Sequence, residues 1–212
     1  MEEQFWQSRW RAGRIGFHDS SPNIHLQNHF DALGLAPSAH VFVPLSGKTL
    51  DLDWLLARGH TVSGIEFNRG AVEEVFERLG LVPEVAVEGS LTRFTHGDLT
   101  LWHGDFFNLG AQDLNHVDAV YDRAALVALP DDLRAAYAKH LTALTHPAPQ
   151  LLVTFDYDQS YMTGPPFSVP QRTVEALYAG AYTLELIVTE KMKGTLGEQA
   201  CGQEQVWKMN AR

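Results

Sequence analysis

The chain has 212 residues, 45% hydrophobic, 10% aromatic and 20% charged, a profile that excludes disorder, collagen and coiled coil. Its 16 basic and 26 acidic residues leave a net charge of -10, a field that repels phosphate backbones, and no basic patch overrides it, so no nucleic-acid partner is expected. The single cysteine, Cys201, excludes an internal disulfide and a multi-thiolate metal site and fits a reducing compartment.

The start, Met1-Glu2-Glu3-Gln4-Phe5-Trp6, is acidic where a secretory signal is basic. No run approaches the roughly 18 apolar residues that span a bilayer, so a cytoplasmic location without membrane partners is expected. With no repeat or linker, residues 1–212 read as one domain, with 1–36 as an N-terminal helical cover. Trp6 and Trp10 share one helical face there. Packing accounts for Trp6, whereas the Trp10 indole is equally suited to attract a cation such as a sulfonium. His25 and His29 have an i, i+4 spacing compatible with metal ligation, but no third ligand completes a motif. They read as surface or helix-face residues, and no metal is expected.

His40 to Leu45 reads as a buried strand, Leu50 to Arg58 as a helix stopped by Gly59, Thr61 to Glu66 as a second strand and Ala71 to Leu79 as a helix ending at Gly80. Arg93 to Thr95 and Leu99 to His103 flank His96-Gly97-Asp98, whose glycine suits a hairpin turn and leaves room for an extra strand, beyond the seven counted below, before the third parallel one. Val117 to Tyr121 is the fourth strand, Asp131 to Leu144 a helix opened by Pro130, and Leu151 to Phe155 the fifth strand. Tyr182 to Thr189 and Glu204 to Met209 have no helix between them and should pair antiparallel. The fold class is therefore α/β: a Rossmann-like, mostly parallel seven-stranded sheet with helices on both faces and a closing antiparallel hairpin. By fold analogy that ending favours methyltransferases over nicotinamide dehydrogenases.

In Pro44-Leu45-Ser46-Gly47-Lys48-Thr49, the Gly-Lys-Thr ending invites a phosphate-loop reading, but Phe42 stands where the first glycine is required. A three-glycine dinucleotide fingerprint is also absent. A short turn remains, able to underlie a less charged ligand or simply to join strand and helix. Glu66 ends the second strand, where a carboxylate accepts hydrogen bonds from adenosine ribose hydroxyls; the plainer reading is a helix N-cap. Asp105 and Phe106 follow the third parallel strand, beside the expected adenine position, or form a turn with core phenylalanines. Asp122 and Arg123 follow the fourth strand and face the same crevice, unless they pair with each other or a helix end. No nucleophile elbow supports hydrolase chemistry.

At these residues the chain resembles the thiopurine S-methyltransferase family. Seven ordered blocks carry the resemblance: Phe5-Trp6-x-x-Arg9-Trp10, Gly16-Phe17-His18, Val43-Pro44-Leu45-Ser46-Gly47-Lys48, Gly59-His60-x-Val62-x-Gly64-Ile65-Glu66, Gly104-Asp105-Phe106-Phe107, Tyr121-Asp122-Arg123-Ala124-Ala125-Leu126-x-Ala128-Leu129-Pro130 and Gly164-Pro165-Pro166-Phe167. It implies methyl transfer from S-adenosylmethionine to the sulfur of aromatic or heterocyclic thiols such as thiopurines, leaving S-adenosylhomocysteine, with no metal. Trp10, Leu45, Glu66 and Arg123 are implied cofactor contacts, with Asp105 and Phe106 near adenine. Ser46 departs from a frequent cysteine in relatives. Phe17 and Arg123 are expected to meet the substrate; Arg123 orients the thiolate, and no residue acts as an obligatory base. Tyr161 to Phe167, Phe17 and the N-terminal helix are expected to close an aromatic pocket, the alternative being a stiff loop. A monomer handling a small-molecule acceptor is expected. Other readings are methylation of selenium or tellurium compounds, as associated with bacterial relatives, a nicotinamide-dependent oxidoreductase, and a non-catalytic adenosine-ligand sensor.

Overall fold

The computed structural model describes residues 3–13, 16, 18–192 and 201–212. Among them the strands β1 (His40–Val43), β2 (Thr61–Glu66), β3 (Glu84–Glu88), β4 (Leu91–His96), β5 (Leu99–His103), β6 (Ala119–Asp122), β7 (Gln150–Asp156), β8 (Tyr182–Lys191) and β9 (Gln203–Ala211) form one sheet. Its order is β3-β4-β5-β2-β1-β6-β7-β9-β8. The five central strands, β5, β2, β1, β6 and β7, are parallel; β9 runs antiparallel between β7 and β8.

The helices are α1 (Glu3–Arg11), α2 (Ile24–His29), α3 (Asp51–Ala57), α4 (Arg69–Leu79), α5 (Ala111–Leu114), α6 (Asp131–Thr145) and α7 (Gln171–Tyr178). Strand alternation builds a core on each face. Val41 and Val43 of β1 join Leu52, Val62, Leu101 and Tyr121 on one side, while Phe42 joins Trp102, Val120, Leu152 and Trp207 on the other. Apolar runs accordingly fill β1 (41–43), β6 (119–121) and β7 (151–153), each buried on both faces. Asn23 caps α2 through its side-chain oxygen, and left-handed Gly80 ends α4, as its sequence position predicts. No described helix is long and apolar enough to cross a membrane.

The mostly parallel sheet and antiparallel ending follow the sequence expectation, but the sheet has nine strands rather than seven. The hairpin at Gly97 is present as β4–β5, and β3 extends it at the sheet edge. β3 reads poorly in sequence because Val85 and Val87 are exposed, leaving no buried face to pattern it. The first strand ends at Val43, placing Leu45 in the following turn. His25 corrects the surface reading of the histidine pair: it is buried under the β8–β9 hairpin, only 3% exposed.

Candidate functional site

The strand order reverses at β1, with β2 on one side and β6 on the other, the place where open α/β sheets bind ligands. A cavity of about 600 Å³ opens there. Its walls include Trp6, Trp10, Leu45, Glu66, Arg123 and Pro166. Two non-glycine residues with left-handed backbone, Leu45 (φ 46°) and Ala124 (φ 62°), lie after the adjoining strands β1 and β6 and line the cavity. Backbone held in this sparsely populated region concentrates at functional sites.

The turn after β1 is tied down from several directions. Ser46 N donates to Ile65 O at 3.0 Å, and Arg78 of α4 donates to the carbonyls of Lys48 and Thr49 while pairing with Asp53. Gly64 permits this close approach: a Cβ there would lie 2.9 Å from Ser46 Oγ and 3.1 Å from Val43 O. Gly47 N donates to Glu66 Oε2 at 2.9 Å, and Asn68 N to Oε1 at 2.7 Å. Burial pushes the Glu66 carboxyl up to about 7, despite opposition from these hydrogen bonds. Each carboxylate oxygen retains acceptor capacity beyond these bonds. Among the described residues Ser46 Oγ is buried without a hydrogen-bond partner, a second polar atom suited to a ligand.

Beside this cavity a hollow of about 30 Å³ is lined by Asp105, Phe106, Phe107 and Tyr137, and shares Trp6, Leu45 and Phe67 with it. Asp105 accepts from Phe107 N at 3.0 Å, closing a tight turn. The Phe106 ring is buried against Tyr137 and His140, so the core reading also holds for its side chain.

Arg123 forms an ion pair with Asp19 at the cavity wall. Asp122 corrects the expectation that both residues face the crevice. Its carboxylate is fully buried and accepts from Leu126 N at 3.1 Å and Tyr137 Oη at 2.8 Å. Successive residues of an extended strand point to opposite faces, which separates Asp122 from Arg123. Burial raises the Asp122 carboxyl to about 6.

On α1, Trp6 and Trp10 both line the cavity, so Trp6 departs from the packing role expected of it, and Lys48 Nζ lies 5.8 Å from the Trp10 ring centroid. The sequence expectation for Phe17 lies outside the described residues. The segment after β7 is tied by Tyr157 Oη donating to Pro166 O at 2.5 Å, and by Gln159 binding Met162 O and Ser168 N. It presents Pro165 and Pro166 as apolar wall. Sequence reasoning did not single out Asn23 or Glu204 as cavity residues, because only the fold brings them there. His18 had a signal in the Gly16-Phe17-His18 block; burial lowers its pKa.

Residues 1–210 match the family model "Thiopurine S-methyltransferase (TPMT)". A thiopurine S-methyltransferase of Xanthobacter autotrophicus is 51% identical over 208 residues, covering 98% of each chain. One from Teredinibacter turnerae is 43% identical over 210 residues, covering 99% of this chain and 98% of its own. In fold, the chain is similar to 1,6-didemethyltoxoflavin-N1-methyltransferase of Burkholderia thailandensis, solved with 1,6-didemethyltoxoflavin and S-adenosylhomocysteine. That match has a TM-score of 0.68 at 16% identity, covering 99% of this chain and 87% of the other.

Proposed function

Because the chain belongs to the thiopurine S-methyltransferase family, we propose that it transfers a methyl group from S-adenosylmethionine to the sulfur of an aromatic or heterocyclic thiol. The observation that carries this reading is Glu66, a buried carboxylate with acceptor capacity at the sheet switch point, beside the strained Leu45 turn. A ribose diol donates to such a group, while a 2′-phosphate is repelled by it. The Ser46 hydroxyl, unpartnered among the described residues, and the adjoining hollow at Asp105 and Phe106 also fit an adenosine-bearing ligand.

The residues then take definite roles. Glu66 holds the ribose; the Leu45 backbone and Trp10 face the methionine portion; Asp105 and the Phe106 turn flank the adenine. When bound, the cofactor supplies a methyl group on a positively charged sulfur. Trp10 favours that charge through its ring face. Arg123, held by Asp19, orients an anionic acceptor beside the methyl carbon. The acceptor sulfur forms the new bond as the old carbon–sulfur bond breaks in line. Residues enclosing the cavity supply alignment and exclude water. An acceptor arriving as thiolate brings no proton to remove, so the chain needs no general base, and displacement of a sulfonium needs no Lewis acid.

Residues 1–36 serve as a helical cover over one domain spanning 1–212, with Phe17 and Arg123 as acceptor contacts. A monomer acting in the cytoplasm on a small molecule, without nucleic acid or membrane, fits the acidic charge and single cysteine. Transfer of labelled methyl from S-adenosylmethionine to 6-mercaptopurine, with a no-acceptor control, tests the reading. Label in the acceptor is the expected result. Binding of S-adenosylhomocysteine without transfer to any thiol would overturn the thiol assignment and favour selenium or tellurium acceptors or a sensor role.

A further inference from the structure

His25 stands apart from the methyl-transfer machinery. It lies on α2, 3% exposed, and its Nε2 has no hydrogen-bond partner among the described residues. Glu204 Oε2 lies 3.4 Å from this nitrogen and Glu190 Oε1 lies 3.5 Å from it. Glu190 and Glu204 are directly opposed in the β8–β9 ladder, and both carboxylates reach the same imidazole. Like charges opposed across an antiparallel pair repel. The hairpin therefore places two anions where a cation between them relieves the repulsion.

The spacing bears on which cation that is. A charge-assisted N–H···O bond is about 2.7–2.9 Å long, and both separations exceed it clearly. Ligand atoms at about 2.0–2.2 Å from a tetrahedral zinc ion stand about 3.3–3.6 Å apart, a range that contains both separations. All three ligand atoms lie within 4.8 Å of one another. We propose that His25, Glu190 and Glu204 form a divalent-metal site of the zinc class, with water completing the coordination. The imidazole nitrogen favours zinc over magnesium or calcium, which prefer all-oxygen sets.

Position suggests the consequence. Glu204 lines the large cavity, as does Asn23, the N-cap of α2. An ion here fastens α2 to the β8–β9 hairpin at the cavity wall. The site is additional to the methyl-transfer reading and does not rest on it.

The test uses the full chain, treated with a chelator and returned to metal-free buffer. Zinc chloride is titrated in competition with a chromogenic chelator while the thermal midpoint is followed in parallel. The expected result is one zinc ion per chain and a raised midpoint, with no rise from magnesium chloride. Glu190→Gln, at a position accessible enough for the fold to tolerate the change, should weaken zinc binding at least about tenfold and abolish the midpoint rise, since a ligand is lost outright. His25→Ala should do the same, with circular dichroism confirming that each variant is folded. Absence of stoichiometric zinc uptake by the unmodified chain would overturn the proposal. Equal uptake by Glu190→Gln would also overturn it, placing the zinc on others of the ten histidines.

Discussion

Replacing Glu66 by glutamine puts opposite demands on stability and ligand binding. Glu66 is 8% exposed, and burial raises its carboxyl from 4.5 to about 7. Between those values the ligand-free folded chain holds a proton that the unfolded chain has lost. The group therefore carries no ionisation penalty below pH 4.5, and stability falls as pH rises towards 7. Above that, the accumulated cost is about 3–4 kcal/mol, the interval multiplied by about 1.4 kcal/mol per pH unit. A ribose diol donating two hydrogen bonds favours the ionised carboxylate, so binding expels the proton. If only that form binds, about a tenth of the chains are competent at pH 6 and about nine-tenths at pH 8. Affinity for S-adenosylhomocysteine should then rise about tenfold between them. Glu66→Gln removes the buried charge but turns an amide N–H₂ towards Gly47 N or Asn68 N. It should flatten the stability profile and remove the pH dependence of binding. Affinity at pH 8 should fall about 10- to 150-fold, the equivalent of one charge-assisted hydrogen bond of about 1.5–3 kcal/mol. Calorimetric titrations at about pH 6, 7 and 8, with thermal melts at each, read both effects. A wild-type affinity flat over that range, or unchanged binding by the variant, would refute the reasoning.

Arg123→Ala should lower kcat/KM for 6-mercaptopurine about 10- to 150-fold, from loss of a charge-assisted hydrogen bond of about 1.5–3 kcal/mol; unchanged steady-state kinetics would remove its acceptor role. Gly64→Ala should cost about 1–3 kcal/mol in denaturant unfolding, because the new Cβ meets Val43 O at 3.1 Å and that strand backbone cannot yield cheaply. It should also weaken S-adenosylhomocysteine binding by displacing the Ser46 turn, and wild-type stability together with wild-type affinity would count against that coupling. Asp122→Asn should lose about 1–3 kcal/mol of stability by mismatching an amide with its two donors, with ligand affinity changed less than about threefold. A selective loss of affinity in a fully stable Asp122→Asn protein would instead place Asp122 in the site.

The parts legible in the sequence are those governed by short-range periodicity. The buried parallel strands announced themselves as apolar runs, and the glycine turns followed from their left-handed backbone. Glu66 was legible because a strand end and a βα turn fix where its carboxylate lies, whichever helices surround it. Asp122 misled because two neighbouring residues at a strand end share a sequence position but not a face; its carboxylate caps the following turn and binds Tyr137. β3 was missed for want of a buried face. Leu45 gained its role from family resemblance, since its left-handed backbone depends on how β1, Gly64 and Arg78 constrain the turn. His25 shows the limit most clearly. Its spacing to His29 was visible, but its neighbours Glu190 and Glu204 are more than 160 positions away and meet it only because β9 inserts between β7 and β8. The same insertion brings Glu204 to the cavity wall. That topology, rather than any local motif, joins α2 and the C-terminal hairpin beside the place where the parallel strands end.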